Sequence, residues 1–383
     1  VKYTAILLIF IGLAVQAQQS PEQATSTYFS IIGDYGAAGP NEESVSKLMR
    51  RGFISDFIIT TGDNNYPKGE AETIDTNIGY YYSEYIGNYK GMYGSSTKNA
   101  FFPCLGNHDW ITDSAKPYLD YFTLPGNERY YDTVIGWVHL FCIDSDPHEP
   151  DGVTVDSKQA MWLKDKLEKA GTDKWNVVYF HHPPYSSDSV HGSSKNMRWP
   201  FKEWGASVVI SGHAHVYERL EVDGLPYYIN GLGGASRYLF GMPLPESKFR
   251  YNKNYGLLRC EANQSYMKIW FLSIDDIGMD TLIIGGKKDV KDKGSIESPV
   301  LYPSWPNPSS GLANIEFFLP KLETATIEIV DLFGNSIFTE SSLYSEGRHS
   351  LSFQRKNNTP VSTYLVRMRT SSFQDSHLLN FIE

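Results

Sequence analysis

Five short runs of apolar and β-branched residues, each ending abruptly in Gly, Asp, Asn or His, limit what this chain can become. They are Tyr28–Ile32 before Gly33-Asp34, Phe57–Thr61 before Gly62-Asp63, Phe101–Leu105 before Gly106-Asn107-His108-Asp109, Val177–Phe180 before His181-His182-Pro183, and Val208–Ser211 before Gly212-His213-Ala214-His215. Such runs, bounded by turn formers, read as buried strands. Between the third and fourth an amphipathic helix is expected, with Ala160, Leu163, Leu167 and Ala170 on one stripe, Asp156 or Ser157 as N-cap and Gly171 as its stop. This pattern predicts an α/β fold. Open α/β sheets bind ligands at the carboxyl ends of their strands, so clusters at five strand ends can converge on one crevice.

The rest of the chain bounds the reading. Lys2 precedes an apolar run from Ala5 to Val15, and Val15-Gln16-Ala17 offers the small residues of a cleavage site, so residues 1–17 are expected to be a signal peptide. That run is well short of the ~20 residues a helix needs to span a bilayer, and no later segment qualifies, so no transmembrane segment is expected. The α/β pattern occupies residues 26–284. A Gly-flanked charged stretch then predicts a linker over 285–299. Residues 300–383 read as a small C-terminal all-β sandwich, with strands at Asn314–Phe318, Thr326–Asp331, Ser336–Thr339, His349–Phe353 and Tyr364–Met368. The formal charge of −10 provides no footprint for binding nucleic acid or anionic lipid, so a phosphate ligand would need a local positive centre. Three scattered cysteines, Cys104, Cys142 and Cys260, exclude a disulfide framework or a Cys-based zinc site.

Seven strand-end residues can ligate metal: Asp34, Asp63, Tyr66, Asn107, His181, His213 and His215. Carboxylate, amide, phenol and imidazole donors without thiolate suit Fe, Mn or Zn. Seven donors exceed what one tetrahedral zinc takes, so two ions sharing a carboxylate is the economical arrangement. Two-metal sites clamp both the attacking and the leaving oxygen of an in-line displacement, which points to phosphoester hydrolysis.

These blocks, Gly33-Asp34-Tyr35-Gly36, Gly62-Asp63-Asn64-Asn65-Tyr66, Gly106-Asn107-His108-Asp109, Phe180-His181-His182-Pro183 and Gly212-His213-Ala214-His215, resemble the calcineurin-like metallophosphoesterases, and within them the purple acid phosphatases. The resemblance covers about residues 26–284 and includes the Gly-rich Tyr228–Gly234. It implies a four-layer α/β/β/α sandwich. Most metallophosphoesterases begin D-x-H, whereas here Gly36 stands where that His would be, and Tyr66 can fill the place as a phenolate that favours Fe(III). By resemblance, Asp34, Tyr66 and His215 would hold Fe(III), Asp63 would bridge, and Asn107, His181 and His213 would hold a second divalent metal, Fe, Zn or Mn. His181 is preferred to His182 because the family has His-x-Pro at this strand end. His182 is then a residue behind the ligands, orienting one of them or simply packing.

The mechanism implied is secreted acid phosphatase chemistry on a small phosphate monoester. A water acidified from its ~15.7 pKa to around 7 or below supplies hydroxide even in acid, and this attacks phosphorus in line. His108, following Asn107, can bind phosphate and protonate the leaving group. His191, in Ser189-Val190-His191-Gly192, resembles the family's substrate-pocket histidine. Asp109 either caps a helix or orients His108. A phosphodiesterase or nucleotidase on the same fold, or a non-catalytic surface binding protein, is the alternative. The segment from Tyr302-Pro303-Ser304-Trp305-Pro306 onward, with Ile327–Asn335 and Ser362–Val366, resembles the type IX secretion sorting domain of Bacteroidetes. It implies the secretion machinery as a partner and export to the medium or cell surface. Thr363 stands where Gly is usual, and the usual basic residue is absent from Asn380–Glu383.

Overall fold

Two sheets carry the five strand ends. In the first, Thr27–Ile32, Phe57–Thr60 and Phe101–Pro103 run parallel, and Gly256–Ala262, Tyr266–Ser273 and Gly278–Gly285 extend it antiparallel beyond Thr27–Ile32. In the second, Val138–Cys142, Trp175–Tyr179, Val208–Ser211 and Leu225–Asn230 are parallel neighbours. Tyr131–Ile135 flanks them on one side, and Tyr217–Val222 with Ser247–Tyr251 on the other. This computed structural model describes residues 26–275, 278–285 and 299–382, apart from 95, 303, 305, 306, 308, 357, 358 and 372. The expected signal peptide lies outside the described residues, as does the expected linker over 285–299 except for Gly285, which ends a strand, and Pro299.

Alternation along the strands explains the layering. Leu140 and Cys142, Val177 and Tyr179, and Val208 and Ile210 share a core with Phe29, Ile31, Leu258 and Cys260 of the first sheet. The intervening Phe141, Ile143, Val178, Phe180 and Val209 share a different core with Ala160, Leu163 and Leu167 of the helix Lys158–Ala170. Each sheet face therefore buries a distinct partner, as a period of two requires. On the first sheet, Ser30 and Arg259 pair on the opposite face from Phe29 and Leu258. There the Arg259 guanidinium donates to the Leu48 carbonyl of the helix Pro40–Arg50 at 2.6 Å. The order is helix, sheet, sheet, helix, as the resemblance implied. Ser157 is the N-cap, accepting from the Ala160 N–H at 3.2 Å, and Gly171 ends the helix at φ 63°. Here left-handed backbone favours glycine.

From Val300 the described strands pair antiparallel, with one isolated parallel bridge between Ser309 and Phe381. One sheet holds Val300–Leu301, Leu312–Leu319 and Gly347–Gln354, and the other Ser336–Tyr344, Glu323–Asp331, Thr363–Arg369 and Gln374–Asn380. Ala313, Ile315, Phe317, Ile327, Ile329, Val366 and Met368 interleave in their shared core. The unexpected strand Gln374–Asn380 has polar residues on both parities and pairs on one side only, with Thr363–Arg369, so it lacks the apolar pattern of a core strand. Tyr302 packs with Tyr266 and Ile283 of the first sheet. All three cysteines are buried free thiols. Among the described residues no helix is long and apolar enough to cross a membrane.

Leu163 is fully buried, whereas Met161, two residues earlier on the same helix, is about half exposed. Leu163→Ala is expected to lower unfolding free energy by about 2–5 kcal/mol, and Met161→Ala by under ~0.5 kcal/mol, measured as shifts of the urea midpoint at constant slope.

Candidate metal centre

The parallel strands of both sheets deliver their carboxyl ends to one crevice, and the seven donors arrive there in two groups. In the first, the Tyr66 hydroxyl lies 3.3 Å from Asp34 Oδ1 and 3.1 Å from His215 Nε2, while Asp34 Oδ1 and His215 Nε2 are themselves 3.3 Å apart. In the second, His181 Nε2 lies 3.0 Å from Asn107 Oδ1 and 3.1 Å from His213 Nδ1. Asp63 belongs to both. Its Oδ2 is 2.9 Å from the Tyr66 hydroxyl and 3.4 Å from His181 Nε2. Asp34, Asp63, His181 and His215 are buried.

Backbone groups aim the rings. His181 Nδ1–H donates to the Thr61 carbonyl at 2.8 Å and His215 Nδ1–H to the Ser236 carbonyl at 2.5 Å. Carbonyls only accept, so each ring keeps its hydrogen on Nδ1 and turns Nε2 toward the cluster, the arrangement that metal-binding histidines need. Asp34, Asp63 and His213 all have positive φ, 54°, 52° and 65°. Left-handed backbone costs a non-glycine residue about 1–2 kcal/mol, a strain typical of functional sites. Close packing fixes the motif glycines. A Cβ on Gly212 would lie 2.6 Å from Asp34 Oδ2, and one on Gly36 would lie 1.8 Å from the Asn64 carbonyl oxygen. Position 36 therefore has no room for the histidine of D-x-H, and the Tyr66 oxygen stands beside Asp34 instead.

The electrostatics fit a cation. Burial alone would force His181 neutral, yet the charges of Asp63 and Asp34 push it up to about 10. Burial likewise opposes ionisation of Asp63, but the His181 and His108 charges hold its carboxyl well below the usual range. Burial and the neighbouring imidazoles keep His213 far below its ordinary value and bring His182 down to about 3. Burial, reinforced by Asp63 and Asp34, keeps the Tyr66 phenol protonated well past its usual range. Two buried carboxylates beside a phenol thus require positive charge, and a proton on His181 supplies it in the metal-free chain. Oxygen donors and neutral imidazoles suit a harder or borderline ion.

The remaining expected residues separate by geometry. His108 borders the cluster: its N–H donates to Asp63 Oδ1 at 2.9 Å, its ring packs 4.5 Å from that of Tyr66, and Nδ1–H donates to the Pro67 carbonyl at 2.6 Å. Asp109 does not reach the His108 ring. Its carboxylate accepts from the Gly106 N–H, capping Asn107–Trp110, and from Asn64, so it fastens the loop bearing Asp63 and Tyr66; burial and Asp63 push it up to about 7. His182 has its Nδ1 2.9 Å from Ser145 Oγ and its ring 4.4 Å from that of His213. The His191 ring lies 4.0 Å from that of His213. Its loop is pinned by Asp188, whose carboxylate accepts the N–H groups of Val190, His191 and Gly192. Sequence reasoning missed Ser145, Asp188 and Tyr238. The Tyr238 ring stacks on His215 at 4.1 Å and its hydroxyl is 3.4 Å from His191 Nε2. One tyrosine among 26 carries no signal, although its position soon after Gly231–Gly234 could have drawn notice.

Comparison with known proteins defines the class. The calcineurin-like phosphoesterase family profile matches residues 27–217, and the secretion system C-terminal sorting domain profile matches 304–376. Through residues 27–217 the chain belongs to the calcineurin-like metallophosphoesterases, and its homologues are purple acid phosphatases. Purple acid phosphatase 17 of Arabidopsis thaliana is 23% identical over 266 residues, 61% of this chain and 76% of that protein. Acid phosphatase type 7 of Danio rerio is 25% identical over 223 residues, 50% of this chain and 48% of its own length, so the chain spans only about half of that relative. Among solved structures, purple acid phosphatase PPD1 from yellow lupin superposes with a TM-score of 0.58 at 17% identity, covering 70% of this chain and 55% of that one. GAP50, an inner membrane complex anchor of Plasmodium, gives 0.57 at 19%, covering 70% and 90%. At these identities it is the fold that is shared. The sorting domain marks the protein for type IX export, to the medium or cell surface.

Gly212→Ala drives a methyl group against Asp34 and is expected to cost about 1–3 kcal/mol of stability. It should also weaken zinc retention in equilibrium dialysis; unchanged retention would contradict the packing argument.

Proposed function

We propose that this is an exported acid phosphatase that hydrolyses phosphate monoesters at a dimetal centre. Asp34, Tyr66 and His215 would hold Fe(III), Asp63 would bridge, and Asn107, His181 and His213 would hold a divalent Fe, Zn or Mn. The observation that carries the reading is the pair of donor groups, drawn from five strand ends, with Asp63 in contact with both. The domain division at 26–284 and 300–383, with a signal peptide over 1–17, belongs to the same proposal.

A bound ion pair supplies Lewis acidity, acidifying water and neutralising phosphoryl charge. The chain's own residues do the rest. His181 and His215, aimed by the Thr61 and Ser236 carbonyls, and His213, whose N–H donates to Asp34, fix the positions of the donors. His191, pinned through Asp188, presents Nε2 beside the Tyr238 hydroxyl to a phosphoryl oxygen. His108 turns Nδ1–H to the Pro67 carbonyl, which leaves Nε2, 3.9 Å from Asp63 Oδ2, as the ring atom through which a proton would pass to the leaving oxygen.

Elemental analysis of protein purified without added metal should find two ions per chain, at least one of them iron; one zinc or none overturns the proposal. Tyr66→Phe keeps the ring against His108 but removes the oxygen, and should abolish the visible charge-transfer band. With an aryl phosphate, Asp63→Ala is expected to lose both metals and activity. His191→Ala should retain metal while kcat falls by about 10²-fold or more, and full turnover in that variant would remove His191 from the mechanism.

A further inference from the structure

One side of the crevice carries an aromatic ring, Tyr238, to which the phosphate chemistry above assigns no role. Tyr238 lies flat on His215, with rings 4.1 Å apart and 10° from parallel, and meets His191 at a tilt of 58°, 5.4 Å away. His191 in turn lies against His213. The aromatic surface is therefore continuous from one donor group to the other. Two loops hold it in place: the Ser189 N–H donates to the Leu239 carbonyl at 2.9 Å, the Gly241 N–H to the Ser187 carbonyl at 2.7 Å, and Asp188 and Phe240 form an antiparallel bridge.

These joined loops leave large apolar side chains in solvent, with Val190 56%, Leu239 73% and Met242 88% exposed. Val190 precedes His191 and Leu239 follows Tyr238, so two of these residues adjoin in sequence the rings that lie on His213 and His215. Single exposed apolar residues are ordinary, but three on one fastened pair of loops beside a site form a patch. Two arginines brace these loops. Arg237 donates to the Asn252 and Lys253 carbonyls and lies over the Tyr255 ring. Arg250 donates to the Gly241 carbonyl and lies over Phe240. This wall offers ring faces and apolar contact, which reward a flat, apolar body.

We infer that the site takes phosphate monoesters whose leaving group is apolar and planar, packed against Tyr238 and the Val190–Leu239–Met242 rim, an inference that rests on the phosphatase reading above. The test compares 2-phenylethyl phosphate with glycerol 1-phosphate on the full, metal-loaded chain. Both are primary alkyl esters, so leaving-group acidity differs little. The phenylethyl ester should be favoured in kcat/KM by about tenfold, the scale of burying and stacking one ring. Tyr238→Ala should bring the ratio near one, and Tyr238→Phe should restore most of it. Calorimetric binding of 2-phenylethylphosphonate against 2-hydroxyethylphosphonate should show the same ranking without turnover. A ratio at or below one, or one unmoved by Tyr238→Ala, overturns the inference. Hydrolysis of neither ester overturns the phosphatase reading instead, and the phosphonate ranking then judges the wall by itself.

Discussion

Two buried carboxylates, Asp34 and Asp63, 29 positions apart and both at the ends of parallel strands, set the terms for everything around them. Buried charges are tolerated only when paired and hydrogen-bonded, and among the described residues no lysine or arginine pairs with these two. Their partners are imidazoles, a phenol and backbone N–H groups. The carboxylates therefore hold a place for positive charge that a proton on His181 fills in the metal-free chain. Cation binding and proton release are coupled in such a pocket, because the ligating form of each imidazole is the neutral one.

The scaffold keeps these groups together against strain. Left-handed backbone at Asp34, Asp63 and His213 puts the cost at the site itself, at about 1–2 kcal/mol for each residue. Burial on both faces of the second sheet and the packing of Phe29, Ile31 and Leu258 between the sheets are of the magnitude needed to offset it. Asp109 shows how the two demands meet. Buried and bonded to Asn64 and Gly106, it ties the turn after one strand to the helix start after the next, and so sets the distance between Asp63 and Asn107.

Most of the donor set was legible in the sequence because strand ends carry their chemistry in contiguous letters. Gly212-His213-Ala214-His215 is readable for that reason. The wall opposite was not. Tyr238 reaches His215 through a loop whose course depends on Asp188, about fifty residues earlier, and no local pattern encodes that meeting. Val138–Cys142 was overlooked for a different reason: buried on both faces beside Trp175–Tyr179, it lacks alternation and ends in Asp144 and Ser145 rather than in a motif. The preference for His181 over His182 rests on the His-x-Pro pattern; what letters cannot hold is that His181 sets its Nδ1 on the Thr61 carbonyl and His182 sets its own beside Ser145.

The protein's acidity and its proposed anionic substrate are compatible for the same local reason. A net charge of −10 is spread over 383 residues, and salt screens exposed charges beyond about 8 Å. Inside the crevice the relevant acids, Asp34 and Asp63, have their oxygens turned onto Tyr66, His181, His215 and the N–H groups of His108 and His213. The rings bordering these acids are imidazoles: His108 against Tyr66, and His182 and His191 against His213. Affinity for a dianion is then decided over a few ångströms by whatever cations Asp34 and Asp63 retain, and discrimination among esters falls to the uncharged surface beyond them.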